Sequence, residues 1–322
     1  MQGLGPALLL PNATGILGVL YPDEGIRKNV VYGLFGALAP AGFVLGCLIG
    51  ALFDQLSWWP WAFWTMGLLC LCIALLTAIA VPKFPSSKTN GKSAGQLDLV
   101  GSTLAVAGLV LVNIAWNQAY VTTWSAPYNG VFLGTGLLLI AAFAWWEMRA
   151  QFPLVPTKYL SLESILTLAV ISAGFASFGI CEYYYFEFSQ LLRGFSPLAV
   201  TAQFVPVILS GAMAAFCSGF VLDWMGASFV LTHAMVAFCV GLILLATAPV
   251  SETYWARTFV SMIVVPWGVD AAFPSSTLIL ANQFPQEHQG AAASIVNTLM
   301  NYSISLGLGA SSSVPSRGRR RC

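Results

Sequence analysis

The chain has 322 residues, 58% of them hydrophobic and only 8% charged, where soluble proteins carry roughly 25% charged residues. A soluble fold cannot hide that much apolar surface, because a large share of any folded surface faces water. The formal charge of +1 excludes a nucleic-acid binder, which calls for a basic face. A lipid bilayer acting as solvent removes the difficulty, so the composition defines a polytopic membrane protein.

A helix crossing the hydrocarbon needs about 20 mostly apolar residues. In chain order, spans are predicted at 3–20, 29–53, 60–81, 99–119, 128–147, 164–188, 200–222, 229–248, 256–282 and 291–311, ten in all. Turn chemistry separates them, as at Pro22-Asp-Glu-Gly25, Ser57-Trp-Trp-Pro60 and Pro249-Val-Ser-Glu252. Lysines and arginines set the orientation. Arg27, Lys28, Lys83, Lys88, Lys92, Arg149 and Lys158 fall in alternate loops, against Arg193 and Arg257 on the opposite face, which makes the first set cytosolic. Trp58, Trp59, Trp61, Trp124 and Trp255 then sit near the outer interface. The basic tail Arg317-Gly-Arg-Arg-Arg-Cys322 falls on the wrong side for this rule and reads as non-native. The seven cysteines lie almost entirely within apolar runs, without zinc-like spacing, and read as packing residues. Residues 1–20 lack the basic start and cleavage site of a secretory signal.

Few residues inside these spans carry chemistry. Asn12, beside Pro11, either contacts substrate at the cavity midline or satisfies the carbonyl that the proline frees. Gly33, Gly36, Gly42, Gly46 and Gly50 recur at short steps in 29–53 and read as a close-packed helix contact. Asn113, Asn117 and Gln118 suit helix–helix hydrogen bonding. Glu182 and Glu187 stand among Tyr183, Tyr184, Tyr185 and Phe186, a composition that either attracts cations through charge and ring faces or reaches the interface. Asp270 is the sharpest signal, about 21 Å along its helix from residue 256 at 1.5 Å per residue. A charge at that depth costs roughly 2.5–3.5 kcal/mol on insertion scales, so it faces a cavity or a partner. Pro266, Gly268 and Pro274 are expected to interrupt the helix around it, and broken helices point to a substrate site. The alternative is a structural Asp that ties helices together. His233 and His288 are isolated, and no nucleotide loop, catalytic triad or metal cluster is visible. The sequence therefore reads as no enzyme, with no cofactor and no metal.

An internal repeat sets the architecture. Shifted by 263, Gly5 meets Gly268, Pro11 meets Pro274, Thr14 meets Thr277, Leu17 meets Leu280, Pro22 meets Pro285 and Glu24 meets Glu287. Asn12 then lies close to the position that matches Ser275. The spans 3–20 and 29–53 thus look like equivalents of 256–282 and 291–311 in a duplicated bundle. Completing both halves requires three further spans before Met1 and one after Ser313, fourteen in all. The division is then 1–81 as the remainder of the first half, 82–98 as a cytosolic linker and 99–147 as an inserted helix pair. A cytosolic loop at 148–163, the second half at 164–311 and the basic tail at 312–322 follow.

The residues that carry a family likeness are Gly5 through Asn12, Phe35 through Phe43, Trp58 through Trp64, Trp267-Gly-Val-Asp270 and Asn297 through Gly309. Over essentially all of 3–311 the chain resembles the fourteen-span drug/proton antiporter branch of the major facilitator superfamily, nearest its fungal multidrug and aminotriazole-resistance-like members. The family's antiporter motif corresponds to Gly42, Gly46 and Gly50, with Cys47 in place of Pro and Ala51 in place of the last Gly. Its cytoplasmic gating loop is echoed by Gly219, Asp223 and Gly226, with Trp224 where Arg is usual.

The resemblance implies an all-α, two-half helical bundle, about 10 helices of which fall in this chain, with its cavity between the halves. It implies proton-coupled efflux of small organic or toxic compounds by alternating access. Asp270 or Glu182 would exchange the proton, and Asn12 and Ser275 would line the path. The rival readings are a uniporter or importer of a small solute such as ammonium or borate, and a fragment that does not transport. The expected partners are the lipid bilayer, a small-molecule substrate and protons, with no nucleic acid and no obligate protein partner. The expected place is the plasma membrane, with the vacuolar membrane as the alternative.

Overall fold

The computed structural model describes residues 26–80, 98–122, 126–151, 153–155, 159–285 and 289–312, together with isolated positions between 3 and 20. The described residues form helices and connecting turns, with no strand among them. Water is absent from hydrocarbon, so a spanning segment must satisfy its backbone internally, and the helix does so.

Among the described residues ten α-helices follow one another from Ile26 on: α1 (Ile26–Leu56), α2 (Pro60–Ala80), α3 (Leu99–Thr122), α4 (Pro127–Glu147), α5 (Leu162–Glu187), α6 (Pro197–Gln203), α7 (Val205–Met225), α8 (Ala227–Ala246), α9 (Arg257–Gln283) and α10 (Gln289–Ser312). Eight stretches among the described residues are long and apolar enough to cross a membrane. α10 does not reach that apolarity yet forms 24 residues of helix, over the span predicted at 291–311. The span predicted at 3–20 lies largely outside the described residues.

Local chemistry sets the ends. Ser161 accepts a hydrogen bond from the Ser164 amide at 3.2 Å and starts α5. Pro127 and Pro197 open α4 and α6, where a missing N–H costs nothing. α5 runs on into a π-helical turn, Phe188–Leu192, in which the Arg193 amide donates to the Phe188 carbonyl at 3.1 Å. Gly226 alone joins α7 to α8, at φ +81 and ψ 159. Side chains rarely adopt that conformation.

The packing has three parts. The main core joins α5, α8, α9 and α10 through Ile171, Phe175, Phe238, Ala272, Leu280 and Val296. A second core brings α1 onto them, with Val44 against Tyr185, Val200, Phe204 and Met262. The third part is the α3–α4 pair, which crosses at Gly108 and Gly136. A Cβ built on Gly108 would lie 2.8 Å from Ile140 Cγ1, and one built on Gly136 2.9 Å from the Val112 amide nitrogen. This pair docks on α10: Asn113 donates to Ser305 at 2.7 Å, and the Trp116 indole donates to the Leu306 carbonyl at 3.0 Å. The helix–helix bonding expected of Asn113 is therefore present, while Asn117 donates back to the Asn113 carbonyl of its own helix. α2 buries none of its residues, as suits a helix facing lipid.

One sequence expectation needs correction. Pro266 and Pro274 do not interrupt α9, which is continuous over 27 residues. A proline removes one ladder bond and crowds the preceding turn. One residue past the Met262 carbonyl that Pro266 leaves without its ladder donor, the Ser210 hydroxyl of α7 donates to the Ile263 carbonyl at 2.5 Å and ties the two helices together. The span predicted at 200–222 is present as one apolar stretch, Pro197–Leu222, built from α6 and α7 with Phe204 between them.

Candidate functional site between the halves

Asp270 lies in the middle of α9, on the side turned to α7 and α1. A Cβ built on Gly211 of α7 would lie 2.8 Å from Asp270 Oδ2, 3.0 Å from Pro40 Cγ and 3.1 Å from Pro40 Cβ. The carboxylate, the α7 backbone and the proline ring of α1 therefore meet at one point. No hydrogen bond or ion pair reaches Asp270 from the other described residues. Pro274 also withholds the amide that would otherwise bond the Asp270 backbone carbonyl four residues back. The group is thus placed between α9, α7 and α1 without a fixed partner among the described residues.

Ser275 lies close by in sequence but faces its own helix. It is fully buried, and its hydroxyl donates to the Ala271 and Ala272 carbonyls at 2.7 and 3.1 Å. Asn12 lies outside the described residues.

Glu182 occupies a second position, nearer the end of α5. It lines a cavity of about 410 Å³ with Phe43 of α1, Phe186, Glu187, Gln190 and Leu308 of α10. Its Oε2 is buried and takes no hydrogen bond from the described residues. Glu187 accepts one from the Tyr183 hydroxyl at 3.1 Å. Beyond the cavity, Tyr185 donates to the Gln203 side chain, and Tyr254 donates to the Gln203 carbonyl at 2.7 Å. Burial pushes the Tyr254 phenol up to about 12, so it remains a donor at physiological pH. Arg193 ties the same end together, donating to Thr258 at 3.2 Å and to the Pro249 carbonyl at 2.9 Å.

The motif residues are spread out. Gly42, Gly46 and Gly50 lie on the α1 face away from the Pro40–Val44 contact, and no heavy atom of the described residues falls within 4 Å of a Cβ built on any of them. Gly219 is likewise open, and Gly226 makes the turn after α7. The Asp223 backbone is helical, and its side chain lies outside the described residues. No group of three or more potential metal ligands occurs among the described residues. Asp270 and Glu182 both meet α1, the first at Pro40 and the second at Phe43, one turn apart. Gly211 and Ser210 are the site residues that sequence reasoning missed. Nothing in Ser210-Gly211-Ala212 distinguishes that glycine from the others until the helices are assembled.

These features define an integral, multi-pass helical membrane protein with a polar junction between two groups of helices. The chain belongs to the Major Facilitator Superfamily, whose family model matches residues 1–308. It is 48% identical over 319 residues to the low affinity ammonium transporter of Saccharomyces cerevisiae, which covers 98% of this chain and 62% of that protein. It is 40% identical over 311 residues to the efflux pump terJ of Aspergillus terreus, covering 96% of this chain and 60% of the relative. Identity to the aminotriazole resistance protein of Saccharomyces cerevisiae is 36% over 317 residues, or 97% of this chain and 58% of the relative. The chain thus spans about three fifths of the length of these curated relatives.

Proposed function

We propose that the full-length protein is an alternating-access transporter that expels small organic or toxic compounds in exchange for protons, with Asp270 as the exchanging group. Family membership and relatives described as an efflux pump and a resistance protein support this reading. The observation that carries it is the Asp270 carboxylate, held between Gly211 and Pro40 with no fixed partner among the described residues. A carboxylate so enclosed favours whichever arrangement of the helices suits its charge, and an ion can only shift an equilibrium through such a difference. Glu182, Phe43 and Phe186 line the cavity through which substrate would pass, and the plasma membrane is the proposed location.

The test is Asp270→Asn in the full-length protein, reconstituted in vesicles with an imposed pH gradient. Substrate-driven proton movement should vanish while the protein still reaches the membrane. Unchanged proton movement would end the assignment. A second reading is favoured by one observation, the 48% identity to a protein described as an ammonium transporter. In that case uptake of methylammonium would proceed without counter-movement of protons.

A further inference from the structure

We infer that Gly211 is a positioning residue for Asp270: its missing side chain lets the carboxylate and the Pro40 ring close together on the α7 backbone, and so sets how far water reaches the carboxylate. The inference rests on the reading of Asp270 as the proton-exchanging group. It adds a residue to which neither the motifs nor the repeat pointed.

The argument is steric. Gly211 is buried, and a Cβ there would come to 2.8 Å from Asp270 Oδ2 and 3.0 Å from Pro40 Cγ. Contacts this short force something to move. The carboxylate is the end of a side chain and can turn aside. The Pro40 atoms cannot, because the ring is closed on the α1 backbone. A methyl at 211 therefore displaces α1 from α7 by a few tenths of an ångström or more. Packed helices meet in discrete arrangements, so such a step shifts the balance between them.

The surroundings leave the carboxylate dependent on this contact. α1 presents Pro40 to it, and α7 presents Gly211. On α8 the nearest ionisable ring, His233, is exposed and lies against Trp267 at 6.2 Å between ring centroids. On α5, Glu182 faces the cavity at Phe43 instead. Tyr302 of α10 donates away from it, to the Leu109 carbonyl of α3 at 3.2 Å. No described cation faces Asp270 from these helices, so access of water is left as the variable.

The experiment uses the full-length protein carrying Gly211→Ala, Pro40→Ala or both. Two quantities are read: the pH dependence of transport, and the rate at which a carbodiimide modifies the Asp270 carboxyl, followed by peptide mass with Asp270→Asn as the blank. Each single variant loosens the contact from one side. The pH of half-maximal transport should then move by roughly one unit, the size of change that ordinary shifts of environment produce, and modification should be several-fold faster. In the double variant the alanine methyl takes space left by the proline ring, and both quantities should return toward the parent.

Parent-like pH dependence and modification in the single variants would overturn the inference. If Gly211→Ala fails to reach the membrane, Pro40→Ala alone decides by the same two results. If Asp270→Asn keeps the parent pH profile, the proton-exchange reading fails on its own. The modification rates still report whether Gly211 governs access to the carboxylate.

Discussion

Gly226 carries a backbone that other residues adopt only under strain, with φ +81 at the single residue between α7 and α8. Gly226→Ala is expected to destabilise the protein by about 1–3 kcal/mol, read as a lower unfolding temperature in detergent. Ser210 acts more mildly. Its hydroxyl reaches the Ile263 carbonyl beside Pro266, and bonds of this kind inside membrane proteins average about 0.6 kcal/mol. Ser210→Ala should therefore lower stability only slightly while leaving α9 continuous. The sequence identified Asp270 as exceptional because a mid-span carboxylate is expensive anywhere. It could not identify Gly211 or Pro40, since a glycine or proline inside an apolar run is ordinary in membrane helices. The resemblance implied Ser275 as a residue lining the path; in α9 its hydroxyl bonds its own backbone. Serines often bond back in this way within helices.

At the scale of elements, nine predicted spans cover the ten described helices, with ends close to those expected. Breaks were harder. Proline at 266 and 274 suggested an interrupted helix, but each removes only one ladder bond, and α9 runs on through both. The jog at Phe204 went unseen because the apolar run continues through it. The α3–α4 pair is held to α10 by Asn113, Trp116 and Tyr302. It should therefore move with the second half. A disulfide between Asn113→Cys and Ser305→Cys, whose native side chains bond at 2.7 Å, is expected to form readily and leave transport intact. Loss of transport on cross-linking would mean that the pair slides on α10 during the cycle.

For the whole molecule, α1 joins the later helices against α6 and α7, sealed by Val44 in the core with Phe204 and by Phe43 against the Phe204 ring at 5.7 Å. Around Gly42, Gly46 and Gly50, no heavy atom of the described residues comes within 4 Å of a Cβ, so the close packing expected of them has no counterpart among those residues. The charge count places the 82–98 linker in the cytosol and the α8–α9 loop outside. A cysteine introduced at Lys88 should resist a membrane-impermeant thiol reagent applied to intact cells, and one introduced at Ser251 should react. The opposite pattern would invert the orientation.

Composition and periodic run length by themselves determined that this is a multi-helix membrane protein, because hydrocarbon admits only segments long and apolar enough to satisfy their own backbone. The resemblance of its motifs pointed to the right superfamily, to which the chain belongs. Only the tertiary structure decided which face of each helix meets which. Asp270, Gly211 and Pro40 lie far apart in sequence, as do Asn113 and Ser305, and nothing in the sequence brings them together. The physical reason is that all faces of these helices are similarly apolar. Shape and a few polar atoms, brought together by packing, choose the contacts.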